Sequence, residues 1–201
     1  MTLALDVSHV TMDTVVQAMV VVMAVLTLVI TTWDTHRRDR QAANRSTYQR
    51  LELAAIDLFR FEAQETEVIR PLWQLGIPEP VEGTAEAIVF MNYVCQILNL
   101  FEMAMRFRRQ KVIPSEVFAS WVSWYFLVCG APGFSAIWRN VRFDYTPDLR
   151  AILDQGVTLT QLENPDMARA SFYRHVGELL DCPVILTWLT AEAGPFKRDP
   201  V

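Results

Sequence analysis

The chain has 201 residues, a mass of 23.1 kDa, a net charge of −5 and a pI near 5.2. That length holds one core-forming domain plus an anchor, not two ordinary domains. The acidic balance excludes wholesale electrostatic binding to nucleic acid. Hydrophobic residues reach 52% and mean hydropathy is +0.18, with much of the excess in one N-terminal block.

That block comes first. Residues 1–13 contain no Lys or Arg, only Asp6, Asp13 and His9 among ionisable side chains. From Thr14 to Trp33 no residue is charged, and as a helix this run measures about 30 Å, the thickness of a hydrocarbon core. The interruptions are mild: Gln17, Thr27, Thr31 and Thr32. A secretory signal wants a basic start, a shorter apolar stretch and a small-residue cleavage site, and none of these is present. The reading is a retained span over 14–33, with Val15, Met19, Val22, Leu26, Ile30 and Trp33 as anchor residues and Trp33 at the interface.

Downstream of the span follow Arg37, Arg38, Arg40, Arg45 and Arg50. Basic side chains resist translocation, so the N-terminus is expected outside and the bulk of the chain in the cytoplasm, at an inner membrane. Arg37, Arg38 and Arg40 then lie against anionic lipid headgroups. Residues 34–47 read as a polar stalk or hinge, 48–193 as a helical cytoplasmic domain, and 194–201 as a loose tail.

The first proline is Pro71 and the first glycine Gly76. The sequence therefore predicts a helix running on from the span to about residue 74. Tyr48, Leu51, Ala55, Leu58, Phe59, Ile69 and Leu72 recur along it at helical spacing. Thr84 caps a helix from 85 to about 110, whose stripe is Ile88, Met91, Val94, Cys95, Leu98, Phe101 and Met105. A helix over 115–129 follows, stopped by Gly130-Ala-Pro-Gly, then a short one over 134–142. Thr146-Pro147-Asp148 starts a helix ending near Gly156, and Asn164-Pro165-Asp166 starts one to about 180. A last helix is expected over 184–192. The only stretch resembling a strand is 157–162. The uncharged run Val117–Trp138 reads as a core helix, an interfacial segment or a second span, with Gly130 cutting it short for the last. The fold class is all-α: one N-terminal transmembrane helix plus a cytoplasmic multi-helix bundle.

The stretch 90–138 has an apolar helix ending in Leu98, Phe101 and Glu102, then a basic helix end with Arg106, Arg108 and Arg109. Ile113 follows in a short turn, Glu116 at an acidic helix start, and Trp121 and Trp138 beyond it. This cadence resembles that of uncharacterised bacterial proteins with one N-terminal span and a cytoplasmic helical domain. The resemblance implies a fold and a topology and carries no chemistry; after about residue 155 the chain departs from the pattern.

Residues that would carry chemistry are sparse. Three widely spaced cysteines, Cys95, Cys129 and Cys182, read as reduced buried thiols. His175 is the only histidine of the folded part and reads as a surface pair with Glu178. No ligand spacing for a metal and no Gly-rich phosphate loop occurs, so no catalytic, metal or cofactor residue is expected. Arg106, Arg108, Arg109 and Lys111 form a second basic cluster, read as a solvated helix end, a headgroup contact or a contact with an acidic partner. Nine acids and two arginines between Glu52 and Glu102 make the domain charge-segregated. The favoured function is a non-enzymatic accessory or scaffolding subunit that docks on a larger integral membrane complex. The alternatives are a membrane-tethered signalling or toxin-immunity protein and, less favoured, a lipid-acting enzyme.

Overall fold

The computed structural model describes residues 12–162 and 164–186, and among these it is all-helical. The expected ends 1–11 and 194–201, and the last helix beyond residue 186, lie outside the described residues. The chain separates into two compact units, Met1–Ser46 and Thr47–Val201. Seven α-helices are described: α1 (Met12–Gln64), α2 (Thr66–Trp73), α3 (Ala85–Arg109), α4 (Ser115–Cys129), α5 (Phe134–Val141), α6 (Pro147–Leu159) and α7 (Pro165–Leu179). A 3₁₀ turn over Arg142–Asp144 joins α5 to α6.

Among the described residues of the first unit the only element is the N-terminal part of α1. Its side chains are exposed from Met19 to Trp33, and the polar stretch 34–46 is also helical. The expected stalk is therefore regular helix. Thr27, Thr31 and Thr32 return their hydroxyls to carbonyls one turn back, at 2.7–3.0 Å.

The second unit begins within α1. Leu51, Ala55 and Leu58 are buried, as the stripe predicts, whereas Phe59 is 48% exposed. The expected helix to residue 74 is broken at Glu65. There the Thr66 hydroxyl bonds to the carbonyls of Glu62 and Ala63 at 3.1 Å. Helix α2 restarts at once and buries Ile69, Pro71 and Leu72.

Helix α4 is the centre of the bundle: α3, α5, α6 and α7 all pack against it. Its Phe118, Val122, Tyr125 and Val128 are fully buried, and the Tyr125 hydroxyl donates to the Phe101 carbonyl of α3 at 2.6 Å. Thr84 and Asn164 cap α3 and α7 as expected, accepting from Ala87 N and from Asp166 N and Met167 N. Thr146 precedes α6 in extended backbone but makes no cap bond. On α3 the stripe holds from Val94 onward, while Ile88 is 60% exposed and Met91 also faces out.

The expected end of α6 at Gly156 is wrong, and the one strand-like stretch, 157–162, is not a strand. The helix runs on to Leu159 and residues 160–162 form a turn. Gly156 is there for contact between helices. A Cβ at that position would come 2.5 Å from Cys129 Sγ on α4 and 2.9 Å from a Phe172 ring carbon on α7. Gly133 has a like role, since a Cβ would meet the Pro71 carbonyl oxygen at 2.6 Å and its own N–H donates to the Leu72 carbonyl at 3.1 Å.

Two outcomes are expected. Gly156→Ala should destabilise the fold by about 1–3 kcal/mol through overpacking. Gly130→Ala, whose Cβ meets nothing closer than 3.5 Å, should be close to neutral. Urea denaturation of the full chain in mild detergent compares the two. Burial also pushes the Tyr125 phenol well above its ordinary value of 10. A group whose pKa is raised on folding contributes stability that is intact below the unfolded value and lost as pH climbs past it. Stability should therefore fall above pH 10. Tyr125→Phe should flatten that fall while costing about 1 kcal/mol at neutral pH, read from denaturation midpoints across pH.

Candidate membrane anchor and aromatic groove

Among the described residues two helices are long and apolar enough to cross a membrane, and they differ in burial. The window in α1 has mean hydropathy 1.6 and is 0% buried; that in α3 has mean hydropathy 1.4 and is 50% buried. The α4–α5 pair would qualify as one broken span but is bent by 103°. Of the expected anchor residues, Met19, Val22, Leu26, Ile30 and Trp33 are all half or more exposed. Val15 lies in the helix, and its side chain lies outside the described residues. The guanidinium of Arg37 sits over the Trp33 ring at 5.7 Å, and Arg38 pairs with Asp34 at 2.7 Å. Arg37, Arg38 and Arg40 are exposed.

The second basic cluster is tied back to its own fold. Arg106 pairs with Glu102 at 2.8 Å, Arg109 with Asp148 at 2.6 Å, and Arg108 donates to the Ile113 carbonyl at 3.4 Å. Lys111 is exposed in left-handed backbone just past α3. Nearby, Asp154 accepts from Trp138 Nε1 at 2.8 Å and from the Arg142 guanidinium. Asp148 and Asp154 arrive from α6, too far along the chain to be read locally as partners.

The histidine and the thiols of the second unit's described residues are all at least partly buried. A ring nitrogen of His175 faces the Ala151 carbonyl at 3.3 Å, and Glu178 is exposed. Cys129 and Cys182 are buried and Cys95 half-buried, all as free thiols. Burial pushes the Cys129 thiol well up. Burial likewise raises Cys95, with the Asp144 carboxylate adding to the rise and a hydrogen bond from Tyr145 opposing it. No group of three or more metal-ligating side chains occurs among the described residues.

One surface feature was not foreseen. The C-terminal part of α1 and the outward side of α4 wall a hollow of about 610 Å³. On the α1 side it is lined by Phe59 and Glu62, on the α4 side by Ser120, Ser123, Trp124 and Leu127, with Trp73 of α2 at one end. The hollow continues past Glu52, Ala55 and Trp121. The rings of Phe59 and Trp124 meet across it at 5.0 Å, and Trp121 packs on Trp124 at 5.6 Å. Glu52 accepts from Trp121 Nε1 at 3.3 Å, and Glu62 from the Tyr93 hydroxyl. Burial, reinforced by that bond, pushes the Tyr93 phenol far above its usual range.

Comparison of the chain with protein-family models, with curated proteins and with solved structures finds no match.

Proposed function

We propose that the chain is a non-enzymatic accessory subunit, anchored by one span and docking on a larger integral membrane complex of the energy-converting or transport type. In this reading residues 14–33 cross the inner membrane, the N-terminus is outside, and the part from residue 34 onward is cytoplasmic. The same reading groups the chain with the bacterial single-span proteins whose cadence it shares. Arg37, Arg38 and Arg40 contact anionic headgroups. Arg106, Arg108, Arg109 and Lys111 are offered as a secondary contact only, because intramolecular partners hold the first three.

The observation that carries the reading is the exposure of α1. Twelve large apolar side chains from Val16 to Trp33 are each at least half exposed. Burying one such side chain is worth about 1.5–3 kcal/mol, so leaving all twelve in water forgoes on the order of 20 kcal/mol. That exceeds the stability of a typical domain, about 5–15 kcal/mol. Lipid is a solvent that removes the penalty, and the Thr27, Thr31 and Thr32 hydroxyls already have their partners within the helix. A single span is supported by α3, which buries one side and turns Asn92, Gln96 and Asn99 outward, an unfavourable face for lipid.

Two measurements check this reading. A reporter fused at the C-terminus should be cytoplasmic. Replacing Arg37, Arg38 and Arg40 with Asn while adding lysines at Thr2 and Ser8 should send a substantial fraction of molecules to the opposite orientation. Solubilised gently from native membranes, the chain should elute in a large stoichiometric complex; elution as a lone monomer would overturn the subunit reading.

A further inference from the structure

We propose that the groove between α1 and α4 receives a basic amphipathic helix of a partner protein. This deepens the subunit reading, and rests on it, by giving that subunit its contact surface.

From Val117 to Cys129 helix α4 carries no charge, yet one side of it faces out. A helix side that faces water ordinarily carries charged residues. Here that side presents the small hydroxyls of Ser120 and Ser123, the half-buried Trp124, and Leu127 at 62% exposure. Opposite it, the apolar arc of α1 is wider than the bundle covers. Leu51, Ala55 and Leu58 fill the core, while Ile56 and Phe59, displaced to one side, are each about half exposed. Two incompletely covered helix faces that meet along a groove have the form of a helix-receiving surface, and the serines let a third backbone come close.

Charge selects the occupant. Glu52 and Glu62 both line the groove from the α1 side, ten residues and so about 15 Å apart along the axis. Each is steadied by a neutral donor, Trp121 Nε1 or the Tyr93 hydroxyl. Of the cations at the margins, Arg70 pairs with Glu67, while Arg169 lies over Phe126 at 5.9 Å and keeps its charge. A second copy of this chain would bring the same two carboxylates and a like net charge of −5. An anionic bilayer would be repelled for the same reason. The occupant that fits lays an apolar stripe on Phe59, Trp124 and Leu127 and offers Lys or Arg about three turns apart to Glu52 and Glu62.

The test is made on the full chain in native membranes. A photo-crosslinking amino acid replaces Ser123, and in a control Gln110, which is exposed in the turn after α3. Cross-linked peptides are sequenced by mass spectrometry. The expected adduct at Ser123 is a segment of a different protein with lysines or arginines at helical spacing beside an apolar stripe. Its yield should fall about five- to tenfold in the double variant Glu52→Gln, Glu62→Gln. Glutamine keeps an acceptor for Trp121 and Tyr93, so an unchanged thermal midpoint separates lost charge from lost fold. An adduct with a second copy, with the chain's own C-terminal residues or with lipid would overturn the proposal. So would a yield no higher than at Gln110, or one indifferent to the double variant. If such a result comes with the chain in a large complex, only this docking surface is wrong; if the chain is a lone monomer, the subunit reading falls as well.

Discussion

A helix that carries no charge over thirteen residues has to be covered, and α4 is that helix. From Val117 to Cys129 it offers only apolar groups, hydroxyls and a thiol, and four other helices close over it. The sites of closest approach are where the sequence has given up side-chain volume. Gly156 of α6 leaves room for Cys129 and Phe172, and Gly133 brings the turn after α4 against the backbone of α2. Such positions tolerate little because the surrounding interior is packed at near-crystalline density. Tyr125 adds a directional constraint. Its hydroxyl satisfies the Phe101 carbonyl where α3 crosses, so the α3–α4 pair has a preferred register as well as an apolar seam.

Hydropathy alone does not separate the two long apolar helices. The windows in α1 and α3 differ by only 0.2 in mean hydropathy, yet one is bare and the other half covered. The distribution around the helix makes the difference. On α3 the apolar residues Tyr93, Val94, Ile97, Leu98 and Phe101 share one side, with Asn92, Gln96 and Asn99 on the other. In the N-terminal part of α1 valine, leucine, isoleucine and methionine occupy every side, so no rotation of the helix could hide them against a single neighbour. An all-round apolar helix needs an all-round apolar surrounding, whereas a one-sided helix needs only a partner.

Much of this was legible from local grammar. Caps at Thr84 and Asn164, prolines at the first positions of α6 and α7, and the stripe Leu51, Ala55, Leu58 depend on residues within a turn or two of one another. What was missed depends on distance. Gly156 looks like a stop signal until Cys129 and Phe172 are seen beside it. Ile88 and Met91 fit the spacing of a buried stripe, but among the described residues nothing covers them. The break at Glu65 was hidden because no proline or glycine between residues 60 and 66 marks it. The groove joins residues more than sixty positions apart, and its one trace in the sequence was the missing charge on α4.

The charge segregation seen in the sequence takes on a different meaning once side chains are paired. The basic half is largely answered from within: Arg106 by Glu102, Arg109 by Asp148, Arg142 by Asp154. On the acidic half, Glu52 and Glu62 are held by an indole and a phenol, which orient a carboxylate without cancelling its charge. The two groove carboxylates therefore keep their negative charge. At physiological ionic strength such charge is felt over about 8 Å, too short to gather a partner from afar but long enough to reject the wrong sign at contact. The apolar walls of Phe59, Trp124 and Leu127 can supply affinity, and the two carboxylates can supply orientation, because each demands a cation at a fixed place along the groove.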